Sequence, residues 1–178
     1  MKIVILSRRG SFYSTRRLRD AAKVLGHEVK VFDPLRCVLI LEHGRQRVLY
    51  GGREVKGVDV VVPRIGTYGT EYGIAVVHQF ELMGVPVVND HLAIARAKDK
   101  LGCLQLLASR ALPVPPTILT RYPRKLQDAL RHLGGTPVVM KLLRGTQGTG
   151  VVLAESATSV ESVLDAIWSL GEDIMIQK

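Results

Sequence analysis

Short apolar runs alternate with amphipathic stretches along the chain, and this pattern predicts the order of its strands and helices. Residues 2–6, KIVIL, contain an unbroken apolar run after Lys2, which is typical of a parallel strand buried on both faces. Residues 14–27 carry apolar residues at helical spacing, with Ser14 or Thr15 placed to cap the helix. A strand over residues 28–33 completes a β-α-β unit. The apolar stripe predicted for the helix consists of Leu18, Ala21, Ala22 and Leu25.

The pattern changes over residues 35–58, where short strand-like pieces separated by glycine-rich turns predict a β-hairpin insertion. A buried strand over residues 58–66, a helix over residues 69–84 and a short strand over residues 85–90 then return to the α/β pattern. We therefore predict that residues 1–95 form an α/β domain with an open parallel sheet. The apolar face predicted for its second helix consists of Ile74, Val77, Phe80 and Met83.

A second, α+β domain is predicted for residues 96–178. Residues 91–113 have a mostly helical pattern. Pro115 and Pro116 exclude a helix immediately after this segment. Strands and helices then alternate, and Ser159 is the predicted cap of the last helix. The predicted strands are residues 116–120, 136–143, 150–156 and 172–178, and the predicted helices are residues 122–135 and 158–170.

The composition is that of an ordinary globular protein and narrows the classes of function. Of the 178 residues, 47% are apolar, but no apolar run is long enough to cross a bilayer. The sequence contains neither a signal peptide nor a CxxC pair, so we expect a cytoplasmic chain in which Cys37 and Cys103 are reduced. None of the five histidines has a metal-ligand spacing to another, so we expect each to be structural or exposed, with no metal site.

The formal charge of +9 favours anionic partners, which include nucleotide phosphates, acidic peptides and nucleic acid. Only 5% of the residues are aromatic, and arginines are not interleaved with them as a surface for single-stranded nucleic acid requires. No helix-turn-helix, RRM or OB pattern is present either. Specific nucleic-acid binding is therefore the least supported reading. Surface charge without a specific purpose is a further alternative.

The segment KLLRGTQGTG, residues 141–150, is the strongest candidate for chemistry. Its glycines allow positive φ and a close approach of backbone N–H groups to an anion, and Lys141 would place an ammonium at the root of the loop. The glycine order matches neither the P-loop nor the dinucleotide-binding fingerprint. A glycine-rich hairpin with a lysine before it is instead typical of a flap over the phosphates of ATP, and an ordinary hairpin tip is the alternative. The loop consists of Gly145, Thr146, Gln147, Gly148, Thr149 and Gly150.

Further basic residues are candidates for contacting substrate. Lys98 and Lys100 lie on a helix just before the second domain, where one of them could reach a β-phosphate. Arg64 follows a buried strand, at the strand end where open α/β sheets bind ligands, and could bind a substrate carboxylate bidentately. Packing of Arg64 at the domain junction is the alternative. The residues after the first strand that share this edge are Ser7, Arg8 and Tyr13.

Four segments together resemble the RimK family of ATP-grasp carboxylate–amine ligases. They are MKIVILSRRGSFYSTRRLRDAA, VVPRIGT, AIARAKDKLGCLQLLA and PVVMKLLRGTQGTGVVLAES, in the order and spacing of that family, and the resemblance covers essentially all of the chain. It implies a pre-ATP-grasp domain followed by a small α+β ATP-grasp subdomain. It also implies an enzyme in which ATP phosphorylates a carboxylate and an amine attacks the acylphosphate. Such enzymes add glutamate to a protein C-terminus or form short glutamate chains.

The resemblance implies roles for individual residues and partners. Lys100 and Lys141 match the lysines that contact the phosphates of ATP, and residues 145–150 match the mobile flap over them. Gln177 and Lys178 fall where the adenine-binding hinge begins, although the family usually has an acidic residue at the position of Lys178. The implied partners are ATP, glutamate and an acidic protein or peptide acceptor, for which a ribosomal protein is one candidate. We also expect a homo-oligomer.

Magnesium ligands are the part of the implied site that the chain lacks. In the family, the magnesium-binding carboxylates and an asparagine lie in the large C-terminal half, beyond residue 178, and magnesium neutralises charge on the transferred phosphoryl group. We therefore expect a truncated chain that holds half an ATP cleft and does not catalyse ligation alone. The alternative is a non-catalytic nucleotide-binding or self-associating module, whose apolar last strand would lie at an open sheet edge.

Overall fold

The computed structural model describes residues 1–121, 126–143 and 150–178 of the chain. These residues pack into two units, Met1–Ala97 and Lys98–Lys178, and each unit has its own hydrophobic core. None of the described helices combines the length and the apolar character that crossing a membrane requires. The fold class is mixed α/β, as predicted.

A three-stranded parallel sheet organises the first unit, in the order β2-β1-β6. β1 (Lys2–Leu6) lies in the middle and pairs in parallel with β2 (Glu28–Phe32) and β6 (Val60–Pro63). α1 (Tyr13–Val24) connects β1 to β2, and α2 (Thr70–Leu82) follows β6. The predicted open parallel sheet is therefore confirmed. Its strands end at one edge, because parallel strands all run in the same direction.

The hairpin insertion predicted for residues 35–58 is also confirmed. β3 (Cys37–Glu42), β4 (Arg45–Tyr50) and β5 (Arg53–Glu54) form a separate antiparallel sheet. A short 3₁₀ helix, Pro34–Arg36, leads into it.

Helix α2 is fixed between the two sheets of the first unit by its buried face. Val77 and Phe80 are completely buried in the core. The buried amide of Gln79 donates to the carbonyl oxygens of Ile40 and Arg47, at 3.1 and 3.2 Å. Rotation of α2 about its axis would expose Phe80 and leave this amide without partners. The same contacts therefore determine which side chains of α2 face outward.

The predicted cap of α1 is wrong. Neither Ser14 nor Thr15 caps the helix, which begins at Tyr13 with Phe12 in the capping position and no side-chain hydrogen bond. Thr15 is instead buried, and its hydroxyl shares a hydrogen bond of 2.8 Å with the hydroxyl of Ser7. The tertiary contact to the end of β1 therefore replaces the local capping bond.

Two further predictions for the first unit are only partly realised. Leu18 and Leu25, in the predicted stripe of α1, are 40% and 72% exposed, and Thr15 is the buried residue of that helix. Residues 85–90, predicted as a strand, contribute a single parallel bridge between Val61 and Val87. Proline lacks the N–H that a longer ladder needs, and Pro86 precedes the bridged residue.

The second unit contains a four-stranded antiparallel sheet in the order β7-β10-β8-β9. Its strands are β7 (Thr117–Leu119), β8 (Val138–Leu142), β9 (Val151–Ala154) and β10 (Ile174–Gln177). The last strand, β10, pairs on both sides and all four of its residues are buried. The prediction that this strand lies at an open edge is therefore wrong, and it offers no edge for self-association.

The long helix predicted over residues 91–113 is two helices. α3 (His91–Lys98) and α4 (Lys100–Ser109) are separated at Asp99, whose side chain accepts a hydrogen bond of 2.9 Å from the backbone N–H of Gly102. An aspartate in this position caps a new helix rather than continuing the old one.

Two helices cover one face of the antiparallel sheet. They are α5 (Leu126–His132) and α6 (Ala157–Ser169), and the cap of α6 is Ser156 rather than the predicted Ser159, whose N–H donates to it. The core of this unit lies between these helices and the sheet. Its buried residues include Leu126, Leu130, Val138, Met140, Val160, Leu164, Ile174 and Ile176.

Both cysteines are thiols, as predicted, but their surroundings differ. Cys37 is 2% exposed, and burial, with the charge of Asp33 as the second cause, raises the pKa of its thiol to about 12. Cys103 is only partly buried. Because the thiolate is the reactive form, burial and a raised pKa both protect Cys37.

We predict that a thiol reagent at pH 8 leaves Cys37 unmodified in the folded chain and modifies it in urea. Peptide mass spectrometry after labelling measures the two cysteines separately, with Cys103 as the internal reference. Equal labelling rates for Cys37 in the folded and unfolded chain would contradict its burial.

Candidate functional site

The face of the antiparallel sheet opposite α5 and α6 carries a row of polar side chains. Side chains alternate along a strand, so Met140 points to the core and Lys141 points to the other face. Gln177 on β10 and Thr117 on β7 lie opposite each other in register and belong to the same face as Lys141. We call this surface the Lys141 face; it comprises Thr117, Val139, Lys141, Met175 and Gln177.

A chain of hydrogen bonds crosses three strands of the Lys141 face. The ammonium of Lys141 donates to Oε1 of Gln177 at 2.7 Å, and Nε2 of Gln177 donates to Oγ1 of Thr117 at 2.9 Å. An ammonium can only donate, which fixes the amide oxygen of Gln177 towards Lys141. Gln177 is 3% exposed, so its side chain is held in this orientation. Lys141 forms no ion pair with any described residue, and its positive charge is therefore not neutralised by a carboxylate there.

Lys100 places a second ammonium near the same end of β8. It is the first residue of α4, and its Nζ donates to the carbonyl oxygen of Leu142 at 3.0 Å. Leu142 directly follows Lys141, at the point where the glycine-rich segment begins. The structure thus brings together two of the predicted site residues that are 41 positions apart in the sequence (141 − 100).

Lys178 lies towards the opposite end of β8. Its ammonium donates to the carbonyl oxygens of Gly135 and Pro137, at 3.0 and 3.5 Å, and its backbone N–H donates to Pro116. These contacts precede β8, whereas Lys141 is near its end, so they are separated by roughly 10–15 Å of strand at about 3.3 Å per residue. Lys100 and Lys178 therefore lie near opposite ends of β8.

The described ends of the glycine-rich segment are those of an antiparallel hairpin. β8 and β9 pair in register from Val138 with Ala154 to Lys141 with Val151, and the backbone N–H of Leu142 donates to Gly150 at 2.9 Å. Gly150 has a φ of +76°, and a Cβ there would lie 2.4 Å from Cδ1 of Leu142. Glycine is thus required at the closing position. The other predicted loop residues, Gly145, Thr146, Gln147, Gly148 and Thr149, lie outside the described residues.

In the first unit, Arg64 occupies the carboxyl end of β6, as predicted. Its backbone N–H donates to the carbonyl of Leu6 at 2.8 Å, and its guanidinium donates to the hydroxyl of Ser14 at 3.3 Å. The side chain is exposed and forms no ion pair within the described part of the chain. Arg64 therefore presents a guanidinium that could bind an anion at this edge.

Two of the other residues predicted at this edge bond to neighbouring side chains, and the third is exposed. Arg8 forms an ion pair of 3.2 Å with Asp33, and its guanidinium lies 4.7 Å from the ring centre of Tyr68. The buried hydroxyl of Ser7 is shared with Thr15. Tyr13 is 72% exposed.

Two of the described carboxylates of the second unit are bonded to other side chains. Asp173 accepts two hydrogen bonds from the guanidinium of Arg121, at 2.7 and 2.8 Å, and Glu161 accepts one from Gln127 at 3.1 Å. Within residues 1–121, 126–143 and 150–178, the one group of three side chains placed to hold a metal lies in the first unit.

Thr117 is the residue of the Lys141 face that sequence reasoning missed. It lies 60 residues before Gln177 and has no motif around it. The sequence places Thr117 only in a predicted strand, residues 116–120. It does not show that this strand pairs with the strand that carries Gln177.

Both units match family models. Residues 1–94 match the RimK PreATP-grasp domain, and residues 97–178 match the RimK-like ATP-grasp domain. A protein of Thioalkalivibrio sulfidiphilus described as "Probable alpha-L-glutamate ligase" is 49% identical over 178 residues, which are 100% of this chain and 59% of that protein. The chain thus spans less than two thirds of the length of this relative.

Solved structures share the fold at lower identity. A RimK domain ATP-grasp protein from Sphaerobacter thermophilus aligns with a TM-score of 0.74 and 22% identity, covering 100% of this chain and 63% of that one. The ATP-grasp ligase PsnB, complexed with minimal precursor, Mg and ADP, aligns with a TM-score of 0.68 and 20% identity, covering 99% and 64%. At these identities the likeness shows the fold alone.

The closing glycine of the hairpin gives a test of the site's geometry. We predict that Gly150→Ala destabilises the chain by about 2 kcal/mol or more, because the left-handed backbone costs about 1–2 kcal/mol and the added Cβ also meets Leu142. Urea unfolding measures the difference.

The matched control is Gly134→Ala. Gly134 has a φ of +77° in the same unit, and an added Cβ there meets nothing within 4 Å. It should therefore show the backbone cost alone. Equal losses of stability in the two variants would contradict the close contact at Gly150.

Proposed function

Because the chain belongs to the RimK-like ATP-grasp family, we propose that it carries part of the ATP site of an ATP-dependent carboxylate–amine ligase. The observation that supports this most directly is the position of two ammonium groups at the end of β8. Lys141 and Lys100 both lie where the glycine-rich segment begins. Two positive charges beside a loop rich in backbone N–H groups suit a polyphosphate.

The proposed orientation of ATP follows from the positions of the predicted residues near the two ends of β8. The phosphates lie at Lys100 and Lys141. The family resemblance implies that the flap over them consists of Gly145, Thr146, Gln147, Gly148, Thr149 and Gly150. The base lies towards Gln177 and Lys178. The ammonium of Lys178 is already bonded to the carbonyls of Gly135 and Pro137, so its backbone rather than its side chain is the candidate for contacting adenine.

Gln177 has a positioning role in this proposal. Its amide is held by Thr117 and accepts from Lys141, so the lysine side chain is aligned before ATP arrives. A neutral partner holds the ammonium without cancelling its charge. A carboxylate in the same place would compete with phosphate for Lys141, because opposite charges at hydrogen-bond distance attract strongly in a partly buried setting.

The proposed reaction is that of the whole protein rather than of residues 1–178. ATP phosphorylates a carboxylate, an amine attacks the resulting acylphosphate, and phosphate leaves as an amide forms. Magnesium would neutralise charge on the transferred phosphoryl group. The family resemblance implies that its ligands lie beyond residue 178, and the described carboxylates of Asp173 and Glu161 are bonded to Arg121 and Gln127. We propose that ligation requires those ligands.

The proposed substrates are glutamate and an acidic protein or peptide acceptor. The name of the relative from Thioalkalivibrio sulfidiphilus refers to glutamate, and PsnB was solved with a peptide precursor. The formal charge of +9 suits acidic substrates. Arg64, exposed at the carboxyl end of β6, is the proposed contact for a substrate carboxylate. A ribosomal protein as acceptor and a homo-oligomeric state stay predictions.

Nucleotide binding can be tested on the 178-residue chain. We predict that ATP raises its melting temperature and that Lys141→Met abolishes most of this rise, because the variant keeps the aliphatic stem but removes the ammonium. Differential scanning fluorimetry with and without ATP measures both. The control is Arg131→Ala on α5, an exposed cation of the same unit paired with Asp128. If Lys141→Met kept the full ATP shift, the assignment of Lys141 would be wrong.

Ligation is tested by ATP-dependent incorporation of labelled glutamate into acceptor peptides. We expect none with residues 1–178 and incorporation with an extended chain that includes the expected magnesium ligands. In the extended chain, Lys141→Met should reduce the rate by at least about 100-fold, as loss of a group that stabilises developing charge does. Incorporation by the short chain would refute the need for those ligands. If the extended chain bound ATP but did not catalyse ligation, the result would favour the alternative function, a non-catalytic nucleotide-binding module.

A further inference from the structure

A cluster of ligand-type side chains lies in the first unit, where α2 ends and α3 begins. His78 and Glu81 are three positions apart on α2, and His91 is the first residue of α3. One potential ligand atom from each residue lies within 4.8 Å of the others. We propose that His78, Glu81 and His91 form a binding site for a divalent transition metal, with Zn²⁺ the best match.

The fold holds the α2 residues of this cluster in place. Val77 and Phe80 are completely buried in the core of the first unit. Each is followed directly by a residue of the cluster, so the same packing that anchors α2 turns His78 and Glu81 outward. His78 is exposed, and Glu81 and His91 are about one fifth exposed, with 21% and 22% of their side-chain surface accessible.

His91 is bound to Glu81 through two groups. Its backbone N–H donates to Oε1 of Glu81 at 2.9 Å, and its ring nitrogen Nδ1 contacts Oε2 of the same carboxylate. The carboxylate thus fixes both the start of α3 and the orientation of the His91 ring. Such an ordered histidine–carboxylate pair places two ligands before any metal binds.

His78 completes the set by stacking on the ring of His91. The two imidazole rings stack with centres 3.9 Å apart and an angle of 16° between their planes. A shared metal ion would bind both rings in their neutral form. Two imidazoles and one carboxylate form the ligand set of many zinc sites with an open fourth position.

Metal binding requires a modest rearrangement. Zinc–ligand bonds of about 2.0–2.2 Å put the ligand atoms of a tetrahedral site roughly 3.4 Å apart, which is closer than the 4.8 Å limit within which the three atoms lie. The stacked rings must also tilt, because the nitrogen lone pairs lie in the ring planes. The exposed His78 side chain can make this movement, and the contact between Nδ1 of His91 and Glu81 opens to admit the ion.

The chemistry of the ligands selects the metal. Imidazole nitrogen suits zinc, copper and nickel, whereas magnesium and calcium take oxygen ligands. The proposed site therefore differs from the magnesium site expected beyond residue 178. A bound ion would join α2 to α3 and stabilise the first unit.

The sequence alone gave no indication of this site. His78 and Glu81 have the ordinary spacing of a helix surface, and His91 lies 13 positions after His78 on another helix (91 − 78). We expected each histidine to be structural or exposed, and this proposal replaces that expectation for His78 and His91.

The test uses the 178-residue chain without a polyhistidine tag. We expect one Zn²⁺ per chain by equilibrium dialysis with elemental analysis, and a higher melting temperature. At a zinc concentration about 100 times the Kd, linkage predicts a rise of roughly 5–10 °C for a chain of this size. Mg²⁺ at the same concentration should produce no such rise.

Two variants decide whether the cluster binds the ion. His78→Ala keeps a good helix former at an exposed position, and Glu81→Gln keeps the shape of the side chain without its charge. Each should weaken zinc binding by at least about tenfold, since even lost outer-shell partners cost 10–100-fold. Melting temperatures without metal show whether either variant folds.

Two controls separate the cluster from other zinc ligands. His43→Ala removes an exposed histidine in the turn between β3 and β4, and Cys103→Ser removes the partly buried thiol. Both should bind zinc as the unmodified chain does. Unchanged zinc affinity in folded His78→Ala and Glu81→Gln, or an equal loss in either control, would overturn the proposal and identify adventitious binding.

Discussion

The hydrogen bond from Lys141 to Gln177 joins the architecture of the second unit to its candidate chemistry. Gln177 lies on an inner strand of the sheet and is buried, so both ends of its amide need partners. Lys141 on one neighbouring strand and Thr117 on the other supply them. A buried polar group left without a partner costs about 1–3 kcal/mol. The strand order that places these three residues side by side is therefore also the order that positions the lysine.

The same sheet separates stability from binding by using its two faces. Met140 and Ile176 pack against α5 and α6, while Lys141 and Gln177, their neighbours in sequence, face the other way. Substitution of Lys141 should therefore affect a bound anion more than the core. Gly150 lies at the boundary between the two roles, because its carbonyl accepts a hydrogen bond from Leu142 where β8 and β9 pair.

The two candidate sites of the chain use opposite principles of ion recognition. Lys100 and Lys141 offer positive charge to an anion, and Gln177 holds Lys141 without neutralising it. His78, Glu81 and His91 offer lone pairs to a cation and have their own support in the packing of α2. Since the sites lie in different units, a loss of zinc binding and a loss of ATP binding can be produced by separate substitutions.

The sequence by itself determined the parallel sheet, the hairpin insertion, the family and the basic residues around the glycine-rich segment, because these depend on local patterns such as the apolar run at residues 2–6. It could not determine which strands distant in sequence become the neighbours of β10. β10 was expected at an edge and is an inner strand, Thr117 had no recognisable role, and the cap of α1 was replaced by a bond from Thr15 to Ser7. The three members of the His78 cluster likewise meet only in the folded chain. Local periodicity records which side of a strand or helix is buried, whereas contacts between residues distant in sequence arise only when those elements pack together.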